Sequence, residues 1–202
     1  QHFMWIAYAM DRIGDHHDEM WDEKDGFFYD VLRLPDGSAL RLKVRSMVGL
    51  LPLCASTIFE PDAVVAHPRL LELIRLFRER HPEVVAHVAP TDEGYVGHGG
   101  RRLLSPLSRE KLERVLRYLV DENEFLGPFG IRSLSRHHAE HPFEFRVGGE
   151  VHRVSYLPAE SDTGMFGGNS NWRGPVWMPV NALIVRGLLN LYAFDGTAFT
   201  IE

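Results

Sequence analysis

The spacing of apolar residues along the chain predicts a succession of helices. The clearest stripe lies between Leu112 and Val120, where apolar residues recur at helical spacing and Ser108 can cap the helix start. Periodicity or apolar content predicts four further helices, at residues 3–20, 46–59, 68–81 and 179–194. In the last of these, Pro179 suits the first turn and Gly196 is a stop signal.

Two stretches of alternating apolar and polar residues predict β-hairpins between these helices. The first covers residues 28–45 with a turn at 35–37, and the second has residues 143–147 leading into a Gly148–Gly149 turn. Two long loops are predicted where glycine and proline interrupt the periodicity, at 84–105 and 158–177. Because strands and helices do not alternate, we expect an all-α dominated fold with inserted hairpins and no parallel sheet.

Composition narrows the class of protein. The chain has 202 residues, 45% of them hydrophobic, and a formal net charge of -6. An acidic balance without a basic patch argues against a nucleic-acid partner, and no apolar run is long enough to form a membrane segment. The single cysteine, Cys54, lies in an apolar run, which excludes an internal disulfide and favours a reduced, cytoplasmic compartment.

The organisation of the chain predicts one continuous unit. No internal linker or fixed-period repeat interrupts residues 1–202. The N-terminal helix pattern begins at once, without a capping residue, and a new element begins just before Glu202. We therefore expect a single segment that is truncated at both ends.

The most informative stretch is the loop at residues 159–177. It contains two of the four tryptophans of the chain, several glycines, and amide, carboxylate and guanidinium side chains. Sugar-binding sites use this mixture, because aromatic faces cover the apolar surface of a pyranose while planar polar groups hydrogen-bond its hydroxyls. Six residues are predicted to bind sugar: Asp162, Asn171, Trp172, Arg173, Gly174 and Trp177. Alternatively, Trp172 and Trp177 anchor the following helix in the core.

The run Gly167 to Trp177 resembles a signature of glycoside hydrolase family 63, the group of processing α-glucosidase I and its bacterial relatives. Residues 21–32, 44–50 and 129–135 agree with that family in the same order. The resemblance implies an (α/α)6 toroid that hydrolyses α-glucosides or related glycosides with inversion, in which residues 172–177 line the sugar subsite. An inverting enzyme needs a carboxylic acid and a carboxylate on opposite sides of the bond. The resemblance implies that both lie outside this segment, so the catalytic residues are unknown and the segment alone is expected to be inactive.

Carboxylates and histidines are the other candidates for chemistry in the sequence. Four acidic residues cluster around the turn at residues 26–29, namely Asp22, Glu23, Asp25 and Asp30. They are interpreted as a loop rim that orients substrate. Asp162 is the best local candidate for proton transfer. The histidine groups at 16–17 and at 137–141 have helical spacing but lack a convincing third ligand, so no metal or cofactor is predicted.

Three hypotheses about function are consistent with the sequence. The first is part of an inverting α-glycosidase acting on an oligosaccharide or small glycoside, completed by the remainder of its parent catalytic domain. The second is a trehalase-like or mannosylglycerate-hydrolase-like enzyme of the same architecture. The third is a non-catalytic helical domain that binds carbohydrate or acts as a scaffold.

Overall fold

A computed structural model describes residues 2–11, 19–85, 96–157 and 176–201. Within these ranges the α-helices are α1 (His2–Asp11), α2 (Pro61–Ala66), α3 (Pro68–Arg80), α4 (Pro82–Val85), α5 (Arg109–Val120) and α6 (Met178–Asp195). Segments of 3-10 helix are Met47–Ala55, His98–Gly100 and Arg136–Ala139. No helix among the described residues has the length and apolar content needed to cross a membrane.

The strands of the described residues form five two-stranded antiparallel sheets. They are β1 (Trp21–Asp22) with β2 (Phe27–Phe28), β3 (Asp30–Arg33) with β4 (Ala39–Leu42), β5 (Thr57–Phe59) with β6 (Arg102–Leu104), β7 (Leu126–Gly127) with β8 (Gly130–Ile131), and β9 (Phe143–Val147) with β10 (Glu150–Val154). This part of the chain therefore mixes helices with small sheets, and no parallel pairing occurs in it.

The main core forms where α5, α6 and the Met47–Ala55 helix meet the β1–β2 turn. Phe27 is fully buried and stacks on Phe125 with ring centroids 5.7 Å apart. Gly187 lets α6 approach the neighbouring backbone closely, since a Cβ there would lie 2.3 Å from the carbonyl oxygen of Leu53. The close packing of α6 against the Met47–Ala55 helix thus depends on glycine at position 187.

The helices predicted from periodicity are largely confirmed. In α5 the Ser108 hydroxyl accepts a hydrogen bond from the Lys111 amide at 3.3 Å, and most of the predicted stripe is buried. Helix α3 begins at Pro68 as expected, and α6 is followed by Gly196 with a φ of 61°. Both predicted hairpins are present, as β3–β4 and β9–β10.

Three predicted boundaries are wrong. The first predicted helix does not reach Met20, which directly precedes β1; its described part is α1, and residues 12–18 lie outside the described residues. Residues 46–59 form a 3-10 helix and strand β5, because Pro52 has no amide to donate and because β5 pairs with β6. Strand β6 lies inside the predicted loop at 84–105, where the sequence shows no strand pattern.

Candidate functional site

The predicted sugar-binding loop is described only at its end. Of the six predicted residues, Trp177 is described, and the others lie outside the described residues: Asp162, Asn171, Trp172, Arg173 and Gly174. Trp177 stands at the N-cap position of α6 and packs, partly buried, against the main core. The described part of the site therefore consists of residues that flank segment 158–175.

Asn181 fixes the backbone on the C-terminal side of that segment. Its buried amide nitrogen donates to the carbonyl oxygens of Trp177 at 3.0 Å and Ile131 at 3.2 Å, and its amide oxygen accepts from the Ile131 amide at 2.7 Å. Gly130 has a φ of 134° and faces Asn181 so closely that a Cβ would lie 2.8 Å from the amide oxygen. The start of α6 is thereby joined to β8.

Arg132 contacts both flanks of segment 158–175. Its backbone forms an antiparallel bridge with Val176, and its Nε donates to the Tyr156 hydroxyl at 3.2 Å. Its Nη1 donates to three backbone carbonyls, those of Glu122 at 2.9 Å, Glu124 at 3.2 Å and Leu126 at 2.5 Å. With 8% of its surface exposed, Arg132 is a buried cation held mainly by backbone oxygens.

A polar cluster, which we call the His138 hub, consists of Arg45, Glu124, Ser135 and His138. It adjoins Arg132, whose Nη1 donates to the Glu124 carbonyl. The Glu124 carboxylate accepts from the Arg45 guanidinium on one oxygen and from the Ser135 hydroxyl on the other. His138 Nε2 accepts from the Arg45 amide at 2.9 Å, and the Ser135 amide donates to the Arg45 carbonyl at 2.9 Å. Each member of the hub is therefore held by at least one other.

The hub also reaches the N-terminal flank of segment 158–175. The Tyr156 amide donates to the His138 carbonyl at 3.1 Å, and His138 Nδ1 donates to the His141 carbonyl at 2.8 Å. Burial lowers the pKa of His138, and the neighbouring charges of His137 and Arg45 lower it further, against a hydrogen bond to the His141 backbone that raises it. A neutral ring suits this geometry, because Nε2 must keep a lone pair to accept from Arg45.

The acidic residues of the β1–β2 turn form ion pairs. Lys43 Nζ lies 2.9 Å from Asp22 and 3.0 Å from Asp25, while Arg41 pairs with Asp22 at 2.8 Å and the Tyr29 hydroxyl donates to Asp25 at 3.0 Å. Burial opposes ionisation of Asp22, but the Asp25 amide, Lys43 and Arg41 outweigh it and lower the Asp22 pKa to about 2. Asp22 is therefore ionised at neutral pH and is unsuited to donate a proton.

The other two residues of that acidic group are placed differently. Glu23 pairs with Arg114 at 3.1 Å and accepts from the Trp21 indole at 2.6 Å. Asp30 lies in β3 opposite Leu42, in another sheet. Only Asp22, Glu23 and Asp25 thus share one turn.

An open cleft of about 520 Å³ lies beside this turn and is lined mainly by residues of α5. Asp25, Glu124, Tyr118 and Arg114 are among the residues that line it, and the Tyr118 hydroxyl donates to the Asp25 carbonyl at 2.7 Å. Carboxylates and a guanidinium can hydrogen-bond sugar hydroxyls. Sequence reasoning missed Glu124 and Tyr118, and also Arg45 of the hub, because side chains 79 positions apart, such as Arg45 and Glu124, carry no local signal of their contact.

The histidines do not form a metal centre among the described residues. The rings of His137 and His141 stack with centroids 4.5 Å apart, and His138 is engaged in the hub. No group of three potential metal ligands occurs in the described ranges. His16 and His17, the other predicted histidine group, lie outside them.

Comparison with known proteins relates the chain to glycoside hydrolases. Residues 103–200 match the family described as mannosylglycerate hydrolase MGH1-like glycoside hydrolase domain. The whole chain is 41% identical to an uncharacterized protein of Saccharomyces cerevisiae and spans 19% of that protein's length. Over 44% of the chain, identity is 30% to a probable mannosyl-oligosaccharide glucosidase of Schizosaccharomyces pombe, of which 8% is covered. The chain thus spans a fifth or less of the length of these relatives.

Proposed function

We propose that this chain, a segment resembling the glycoside hydrolases of family 63, contributes the sugar-binding subsite of an inverting α-glycosidase of the α-glucosidase type. One observation carries the proposal. The region matched to a glycoside hydrolase domain contains segment 158–175, and both flanks of that segment are tied to buried structure, Tyr156 and Val176 through Arg132 and Trp177 through Asn181. Rigidly held flanks suit a binding loop, since a site must be presented in a fixed geometry.

The proposed subsite uses the residue types found in segment 158–175 together with Trp177. The indoles would cover the apolar face of a pyranose, the Arg173 guanidinium and Asn171 amide would hydrogen-bond its hydroxyls, and Gly174 would let the backbone approach. Asp162 is proposed to hydrogen-bond sugar or to order the loop. The anchored position of Trp177 at the start of α6 supports this assignment, because it gives the end of the loop a fixed support.

The catalytic acid and base are proposed to come from other parts of a longer protein. Inversion requires two carboxyl groups roughly 6.5–9.5 Å apart, one of which must hold a proton. Asp22 stays ionised, and both oxygens of Glu124 are already hydrogen-bonded within the hub. Neither residue fits the role of the acid.

The surface of α6 supports the proposal that residues 1–202 are part of a larger helical domain, such as the (α/α)6 toroid. Four apolar residues lie at helical spacing on its outer face and are at least half exposed: Met178 at 61%, Val185 at 50%, Leu189 at 62% and Tyr192 at 63%. The opposite face packs in the core. Apart from Arg186 the outer face is largely apolar, and a helix with apolar residues on both faces is normally covered on both.

The test is hydrolysis by the full-length protein that contains this chain. Trp172→Ala and Arg173→Ala should each lower kcat/KM for α-glucosides by about 100-fold, the first by removing an aromatic face and the second by removing charge-assisted hydrogen bonds. Arg146→Ala, on the exposed β9–β10 hairpin, is the control and should leave turnover unchanged. Near-normal turnover in both loop variants would place segment 158–175 outside the active site. The 202-residue chain alone should not hydrolyse the substrate, and parent-like turnover would show that its own carboxylates suffice.

A second candidate is a mannosylglycerate-hydrolase-like enzyme of the same architecture, which the family matched by residues 103–200 favours. Parallel assays with α-glucosides and mannosylglycerate separate the two enzymes by the substrate that is cleaved. Binding of either sugar without cleavage by the full-length protein would favour a non-catalytic carbohydrate-binding domain.

A further inference from the structure

We infer that Arg132 is a positioning residue that fixes Tyr156 and Val176, the described residues on either side of the proposed sugar-binding segment, relative to each other. The inference rests on the proposed function, because it concerns how the proposed subsite is held. Its starting point is that one residue contacts both flanks, Tyr156 through its side chain and Val176 through its backbone. The spatial relation of the two flanks therefore depends on the placement of Arg132.

The Arg132 side chain is itself prevented from swinging. Nη1 is occupied by three carbonyls of the 122–126 turn, which leaves Nε directed at Tyr156. A guanidinium presents its donors in one rigid plane, so fixing Nη1 also fixes the direction of Nε. A lysine ammonium, as a single point on a flexible stem, cannot occupy both positions at once.

Burial of a charge at this point argues for a role other than stability alone. Arg132 is 8% exposed, and the partners described for its side chain are neutral oxygens. Apolar side chains of similar volume often stabilise a core as well as a buried charged group does. A buried guanidinium that joins Tyr156 to the 122–126 turn, on a residue whose backbone pairs with Val176, supplies orientation, which an apolar side chain would not.

Trp177 is held in register with Arg132 by a separate contact. Asn181 binds Ile131, the residue before Arg132, and also binds the Trp177 carbonyl. The backbone at 131–132 thus supports two consecutive residues at the end of the segment, Val176 and Trp177. Loss of the Arg132 side chain should disturb chiefly the Tyr156 flank, and the Asn181 contacts should keep α6 in place.

The experiment uses the full-length protein with two variants, Arg132→Lys and Tyr156→Phe. Arg132→Lys should raise KM for the cleaved glycoside about tenfold while kcat changes less than about threefold, because binding is weakened and the reacting groups are unchanged. Tyr156→Phe removes only the hydroxyl that accepts from Nε and should raise KM by about threefold. It also remains informative if Arg132→Lys does not fold.

Arg101→Lys is the matched control. Arg101 also joins another side chain to a backbone carbonyl, those of Glu60 and Ala193, but it contacts neither flank of segment 158–175 among the described residues. It should leave KM and kcat unchanged. Hydrogen exchange should quicken at the Tyr156 amide in both flank variants and remain unchanged within α5, which a general loss of stability would not produce.

The outcomes separate this inference from the proposed function. An unchanged KM in folded Arg132→Lys and in Tyr156→Phe, beside an impaired Arg173→Ala, overturns the positioning role and leaves the proposed subsite standing. An unchanged KM in all three variants overturns both. Equal losses of kcat and Tm in Arg132→Lys and Arg101→Lys also overturn the positioning role, since they would reflect structure alone.

Discussion

Protonation of His138 should destabilise the fold in mildly acidic solution. His138 is 3% exposed, and its Nε2 accepts a hydrogen bond from the Arg45 amide. A second proton on the ring, at Nε2, would place an N–H opposite the Arg45 N–H and break this hydrogen bond. Burial first, and then the charges of His137 and Arg45, keep the pKa of His138 below its ordinary value of 6.5.

The sign and the window of the effect follow from this direction. Below pH 6.5 the unfolded chain takes up a proton on His138 that the folded chain resists, so the free energy of unfolding falls as pH is lowered. The contribution is complete above that pH, and its loss cannot exceed about 1.4 kcal/mol per pH unit for one group. Asp22, with a pKa of about 2 against an ordinary 3.8, loses its own contribution only below about pH 4, so the two windows are separate.

Urea unfolding followed by circular dichroism at pH 7.5, 6.5, 5.5 and 5.0 measures the effect. His138→Gln keeps an oxygen that can accept from Arg45 but does not titrate, so its stability should fall less steeply than that of the wild type. Burial also lowers the pKa of His137, which contributes in the same window, and the difference between the two proteins isolates His138. His152→Gln, on strand β10, is the control and should follow the wild type. Parallel curves for wild type and His138→Gln would refute the reasoning.

Two further predictions concern α6. Gly187→Ala should lower the free energy of unfolding by about 1–3 kcal/mol despite the better helix propensity of alanine, because its Cβ would meet the Leu53 carbonyl at 2.3 Å; unchanged urea unfolding would contradict this. Leu189→Lys should reduce self-association of the isolated chain in analytical ultracentrifugation but destabilise the full-length protein. Arg186→Lys, the control, should do neither. Equal self-association of Leu189→Lys and wild type would contradict the idea that the outer face of α6 is covered in the full-length protein.

Local contacts explain which elements could be predicted from the sequence. The α5 stripe was predictable because its buried residues repeat with the period of the helix and Ser108 caps it within one turn. The β9–β10 hairpin was predictable because its two strands meet across a two-residue glycine turn. In both elements the deciding contacts join residues close in sequence, so composition and spacing carry the information.

Strands β5 and β6 illustrate the opposite case. The apolar run at 46–59 is compatible with a helix, and only pairing with the distant Arg102–Leu104 makes its end a strand. Pro52 weakens an α-helix in the same run, but its presence does not identify the partner strand. Sequence periodicity cannot distinguish a short buried strand from a helical segment when the partner lies far away.

In the candidate site, too, some features depend on residues adjacent in the chain and others on contacts between distant residues. The sequence alone determined the residue types suited to sugar binding, at 159–177, and the resemblance to family 63 glycoside hydrolases, since both depend on residues adjacent in the chain. Only the tertiary structure decided how the flanks of that loop are held: Arg132 meets Tyr156 across 24 positions, and Asn181 meets Ile131 across 50. Such contacts form when folding brings distant backbone carbonyls and amides together in the core, where each buried polar group must find a partner. The spacing of residues along a chain does not record which partner that will be.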